Sequence, residues 1–317
     1  MNATRVQAFD RNAGTLVDPQ ALMRIRSLEF RARVVVDGFW SGLHRSPHHG
    51  FSVEFTEYRQ YSPGDDPRYV DWRVYARSDR YFVKRFEDET NMRCNLVVDM
   101  SRSMSYGSIG YTKSNYAATL AATLACFLAR QGDAVGLVTF DERIRDYLPA
   151  RHRHGHLRRL MLLLERDADG VRTDLVAPLR RTAELVRKRG VAVVISDFLS
   201  PIDQIEPAVV PLLACGHEVV IFQVLDPAEL SFEFSEPAVF EDVESGRTLL
   251  LDPGAVRGDY RRRVEAHSEA LRRACEHWNG TFFRVATDRP IELALFDFLS
   301  GRHALRRRPR RAERVAR

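Results

Sequence analysis

The apolar run Leu96-Val97-Val98 leads directly into Asp99-Met100-Ser101-Arg102-Ser103, and a second run, Val193-Val194-Ile195, leads into Ser196-Asp197. A carboxylate and two hydroxyls at alternating positions are hard oxygen donors, the kind that Mg2+ or Mn2+ takes. Arg172-Thr173-Asp174-Leu175 sets another hydroxyl at the start of a helical segment. In an open α/β sheet, ligands bind beyond the carboxyl ends of the strands. Asp99, Ser101, Ser103, Thr173 and Asp197 are therefore the candidate metal ligands, and Mg2+ or Mn2+ the expected cofactor. Ser101 and Ser103 also fit a turn and a helix N-cap. What favours a metal is the arrival of three separate chain segments at one edge of one sheet.

The elements that must deliver these residues are legible from periodicity. From residue 91 onward, apolar strands (94–98, 134–140, 191–195, 218–224, 281–285) alternate with helical patterns at 113–130, 155–165, 175–188, 201–214, 259–278 and 291–299. Uniformly apolar strands between helices indicate a parallel sheet covered on both faces. The expected fold is α/β, a doubly wound, mostly parallel, Rossmann-like sheet spanning 91–300. A hairpin insertion is expected near 239–253, turning at Glu244-Ser245-Gly246. Asp18-Pro19 followed by Leu22, Ile25, Leu28 and Phe30 predicts one N-capped amphipathic helix. Alternation over 51–61, the breaker Ser62-Pro63-Gly64-Asp65 and a strand-like segment at 81–87 predict a small N-terminal β-rich subdomain over 20–90.

Composition bounds what such a chain can be. With 44% hydrophobic and 29% charged residues over 317 positions, it belongs with folded globular proteins. Cys94, Cys126, Cys215 and Cys275 form no CxxC pair, and the N-terminus lacks the apolar core of a signal peptide. A reducing, cytoplasmic setting is expected. The longest apolar stretch, 116–129, falls short of the ~20 residues that cross a bilayer. The basic excess sits at one end: residues 306–317 hold seven Arg against one Glu, a net +6 that exceeds the whole chain's +5. Residues 301–317 are expected to be a solvated, disordered tail, and nucleic-acid binding is expected only through it.

Other constellations carry less. His152, His154 and His156 alternate along the chain, but a closed zinc site needs four ligands and no Cys or carboxylate adjoins them; a basic loop before a helix is expected. Asp65, Asp66 and Asp71 among Arg59, Arg68, Arg73 and Arg77 read as a salt-bridge network with Tyr58, Tyr61, Tyr69, Trp72 and Tyr75 packed around it. Asp99 as a phosphoryl-accepting nucleophile would make the chain a metal-dependent phosphoesterase. The haloacid-dehalogenase-like pattern has a second aspartate two residues on, where this chain has Ser101. Neither a G-x-S-x-G elbow nor a G-x-x-x-x-G-K-[ST] phosphate loop occurs.

Asp99-x-Ser101-x-Ser103 with a later Thr173 and Asp197 resembles the metal-ion-dependent adhesion site (MIDAS) of von Willebrand factor A domains. Glu54-Phe55, Tyr58-Arg59, Tyr61, the run from Pro63 to Arg68, Asp71-Trp72 and Ala76-Arg77 resemble the signature of bacterial domain-of-unknown-function family 58, over about Gly38 to Leu299. The resemblance implies a von Willebrand factor A-like fold. In it the two serines and the threonine would ligate Mg2+ directly, with Asp99 and Asp197 acting directly or through water. It also implies a protein-interaction adaptor rather than an enzyme, working with a MoxR-type AAA+ ATPase and a client protein in maturation or stress response. Transmembrane helices often precede the signature in that family; no membrane anchor is expected here.

Overall fold

A computed structural model describes residues 16–45, 57–60, 82–85, 92–168, 170, 174–241 and 246–306. In chain order the elements are α1 (Pro19–Met23), α2 (Leu28–Arg45), β1 (Glu57–Gln60), β2 (Phe82–Arg85), β3 (Arg93–Asp99), a 3-10 turn (Arg102–Ser105), α3 (Lys113–Arg130), β4 (Ala134–Phe140), β5 (Ile144–Arg151), α4 (His156–Leu164), α5 (Val176–Leu185), β6 (Val191–Ser196), α6 (Ile202–Ala214), β7 (Glu218–Leu225), α7 (Pro227–Ser231), β8 (Ala238–Glu241), β9 (Thr248–Leu251), α8 (Pro253–His277), β10 (Thr281–Ala286) and α9 (Ile291–Arg306).

One six-stranded sheet, ordered β10-β7-β6-β3-β4-β5, organises the chain. All of its pairings are parallel except β4 with the edge strand β5. Alternate strand residues face two separate apolar layers. Leu96, Val98, Val193, Ile195, Val220 and Phe222 meet α2, α3, α4 and α9 on one side. Val97, Val138, Val194, Ile221 and their neighbours meet α5, α6 and α8 on the other. Helix α3 is buried almost all round, which is why it is Ala- and Leu-rich rather than amphipathic.

The sheet is thus mixed α/β and mostly parallel, as the apolar strands require. The edge strand β5 escapes sequence reading because Ile144-Arg-Asp-Tyr-Leu-Pro-Ala-Arg is polar and carries Pro149, which a ladder tolerates only at an edge. Gly136 is needed where β5 crosses. A Cβ there would lie 2.7 Å from the Ala150 nitrogen and 2.9 Å from the Leu148 carbonyl.

The expected single N-terminal helix is two. The Asp18 carboxylate accepts from the amides of Gln20 and Ala21 to cap α1. The chain then breaks, and Ser27 accepts from the Phe30 amide as α2 begins. Helix α2 packs Leu28, Ala32 and Val35 into the same apolar layer as α3. Strands β1 and β2 pair antiparallel, matching the strands expected within 51–61 and 81–87. The turn at 62–65, the Asp/Arg cluster apart from Arg59, most of the signature residues and residues 307–317 lie outside the described residues, as do Glu244 and Ser245 of the hairpin β8–β9; the tail expected from 301 is instead helical as far as Arg306, the end of α9. Among the described residues no helix is long and apolar enough to cross a membrane.

Candidate metal centre

Counted along the sheet's own strands, β3 is first and β6 fourth, so their adjacency is the point where the winding reverses direction. That reversal opens the crevice in which α/β sheets hold ligands. Asp99 ends β3 and Ser196 ends β6. The register Val98↔Ile195 and Ser196↔Gln223 brings Asp99, Ser196 and Gln223 into one row across three strands. They project on the side of Val97 and Val194, as the two-residue period of a strand demands.

Each carboxylate there is held from several sides. Asp99 is fully buried. Its Oδ1 accepts the Ser101 amide at 2.9 Å and its Oδ2 accepts the Ser196 hydroxyl at 2.6 Å. Ser101 occupies the N-cap position of the 3-10 turn, yet its hydroxyl makes no cap bond. It lies instead 3.2 Å from the hydroxyl of the half-buried Ser103. Ser101 thus takes the N-cap position by its backbone alone, and its hydroxyl is left to Ser103 and the Asp99 carboxylate.

Asp197 is likewise buried, and its Oδ2 accepts the Lys113 ammonium at 2.9 Å. The same ammonium donates to Glu229 Oε1 at 2.6 Å. Asp197 is aimed by an unusual backbone: Phe198 follows it at φ 50° with its side chain fully buried. A bulky residue in the left-handed region is strained. The Phe198 carbonyl is pinned by a His267 ring nitrogen at 2.6 Å. Gln223 Nε2 donates to the Asp197 carbonyl at 3.2 Å, and its own side-chain oxygen is buried with no hydrogen-bond partner among the described residues.

Burial, and then the charge of Asp197, push the Asp99 carboxyl up to about 7. Burial works against the Lys113 charge, but Asp197 and Glu229 outweigh it and hold the ammonium above its ordinary range. Burial also raises Glu229.

Four of the five sequence-derived ligands are thus at one edge. Thr173 lies outside the described residues, but Gly170, three residues earlier, packs against this loop. A Cβ on Gly170 would stand 2.7 Å from the Asp141 Cβ and 3.1 Å from the Ser101 Cα. Gly170→Ala should therefore cost about 1–3 kcal/mol through overpacking, and weaken any ion binding that depends on Ser101; urea melts with and without Mg2+ measure both.

The residues fit a small divalent cation by donor chemistry. Two buried carboxylates and two hydroxyls are hard oxygens, and the Ser101 hydroxyl and the Gln223 carbonyl are unclaimed by the backbone. Among the described residues no group of three His, Cys, Asp or Glu side chains converges on a metal, so a site here draws on hydroxyls. The histidines are spent elsewhere: His156 Nε2 lies 2.7 Å from the Val135 carbonyl and His152 Nδ1 3.4 Å from that of Asp133. Sequence reading missed Lys113, Glu229 and the roles of Ser196 and Gln223. A glutamine inside the apolar run Val219-Val-Ile-Phe-Gln-Val-Leu225 was the signal available.

A family model described as a protein of unknown function, DUF58, matches residues 57–270, more than half of the chain. An uncharacterized protein of Mycobacterium tuberculosis strain H37Rv is 32% identical over 295 residues, covering 91% of this chain and 92% of its own length. An uncharacterized protein of Mycobacterium bovis matches with the same values. Among solved structures, an aerotolerance-related membrane protein from Bacteroides fragilis superposes with a TM-score of 0.42 at 15% identity, over 66% of this chain and 98% of its own. The BatB protein from Bacteroides thetaiotaomicron gives 0.42 at 14%, over 67% and 99%. The pilus adhesin SpaC from Lactobacillus rhamnosus gives 0.46 at 11%, over 80% and 36%.

Proposed function

The chain belongs to the DUF58 family, and from that premise we propose that it is a divalent-metal-dependent protein-interaction adaptor with a von Willebrand factor A-like fold, and not an enzyme. One observation carries this reading: two buried carboxylates from adjacent parallel strands meet at the reversal of the sheet, beside a serine hydroxyl that caps nothing. The strand order and the single antiparallel edge support the fold assignment.

Asp99, Ser101, Ser103 and Asp197 are the described residues that would hold Mg2+ or Mn2+ in a MIDAS-like centre, with Thr173 as the fifth. When bound, the ion offers a hard coordination position to a carboxylate of a partner. The chain's own residues do the rest. Ser196 and the Ser101 amide fix the Asp99 carboxylate. The exposed Arg102, between the two serines, adds positive charge at the rim where an acidic group would arrive.

The partner proposed is a MoxR-type AAA+ ATPase, on the strength of the family resemblance. Titration calorimetry should show Mg2+ binding to the purified chain. Co-purification with the MoxR-type ATPase should be lost in EDTA and restored by Mg2+. Capture that is indifferent to chelation, or a chain that takes up no Mg2+ or Mn2+, overturns the reading.

A further inference from the structure

Lys113 is the first residue of α3, and its side chain is 1% exposed. Helix geometry does not ask for it there, because the first turn of a helix disfavours a cation. A buried ammonium is costly unless it is paired. It is paired twice, with carboxylates from two different strand ends: Asp197 after β6 at 2.9 Å, and Glu229 in α7 after β7 at 2.6 Å. Glu229 is itself fixed, since its Oε2 accepts the Asp226 amide at 2.9 Å. The Asp226 carboxylate in turn takes the Ser108 amide at 2.9 Å and the Ser108 hydroxyl.

We propose that Lys113 is a positioning residue and built-in counter-ion: it competes with a divalent cation for the Asp197 carboxylate and so sets the ion concentration at which the centre fills. This rests on the metal reading above. Two features make it a competitor rather than a block. Only Asp197 Oδ2 is bonded by the ammonium, while Oδ1 has just a 3.5 Å contact with the Leu199 amide. And Glu229 keeps the ammonium paired whenever Asp197 turns toward an ion, so filling the centre never strands a buried charge. The strength of Lys113's hold on Asp197, divided against Glu229, then governs affinity.

The test is calorimetric titration of Mg2+ into the full chain as wild type, Lys113→Met and Glu229→Gln. Removing the competitor in Lys113→Met should tighten Mg2+ binding at least tenfold, which is about 1.4 kcal/mol. Glu229→Gln leaves the ammonium to Asp197 alone and should weaken binding at least fivefold. A purely structural lysine would not move the two variants in opposite directions. If wild type binds Mg2+ and Lys113→Met binds it no more tightly, the counter-ion role is wrong and the metal reading stands. If neither protein binds, both fall together. Should Lys113→Met not fold, unchanged affinity in Glu229→Gln overturns the inference by itself.

Discussion

Asp99→Asn should abolish the Mg2+ binding proposed for this edge of the sheet and, in metal-free buffer above neutral pH, should make the protein more stable than wild type. The two effects share a cause. Asp99 is buried beside the like charge of Asp197, with no cationic partner of its own among the described residues. Its ordinary value is 3.8, and burial first, then Asp197, push it up to about 7. Between those values the folded state keeps a proton that the unfolded state has released. Stability from this group is therefore lost as pH rises through that window, and above it the folded protein carries the full cost of a buried charge. Asparagine has the same shape and no charge. Its oxygen can keep the Ser101 amide, and its NH2 can donate to the Ser196 hydroxyl, which already accepts the Phe198 amide at 3.2 Å and has a second lone pair. The gain should be on the order of 1–3 kcal/mol at pH 8 and should vanish toward pH 4. Chemical denaturation in EDTA at the two pH values, with calorimetry in Mg2+, checks it; wild-type Mg2+ affinity in the variant would remove Asp99 from the site.

That the clustering of Asp99, Ser101, Ser103 and Asp197 can be read from one sequence, yet not the ammonium beside them, has a physical explanation. Asp99, Ser101, Ser103 and Asp197 follow uniformly apolar strands, and parallel strands in a doubly covered sheet must place their carboxyl ends on one edge. Position in sequence therefore implied position in space. Lys113 offers no such signal. A lysine at a helix start reads as a solvated charge, and only the distance across 84 residues to Asp197 shows otherwise. Glu229 lies a further 32 residues on, in a one-turn helix too short for any periodicity. The edge strand β5 hid for the opposite reason: its side chains are mostly partly exposed, so it lacks the apolar run that marks the others. Helix starts are read unevenly: α8, expected from 259, begins six residues earlier at Pro253, behind the Asp252 cap. Thr112 and Asn115 form a reciprocal box at the start of α3, and that helix spans the expected 113–130.

Asp197→Asn should behave unlike Asp99→Asn in stability while sharing its loss of Mg2+ binding. Both substitutions remove one buried negative charge from the same edge of the sheet. But Asp197 is the partner of the Lys113 ammonium, and a buried cation left with half its compensation is destabilising. Removing one member of a buried pair commonly costs ~3–5 kcal/mol; because Glu229 remains 2.6 Å from the ammonium, the lower end is expected here. For a domain of this size about 3 kcal/mol is a fall of roughly 6–12 °C in melting temperature. The loss should be only partly recovered in Asp197→Asn combined with Lys113→Met, since the double variant removes the unpaired ammonium but leaves the Glu229 carboxylate buried without its cation. Scanning calorimetry of the two single variants and the double variant closes the cycle. Additive losses would mean that the 2.9 Å ion pair contributes nothing to the fold, and that Asp197 is held in place by the Phe198 turn and Gln223 alone.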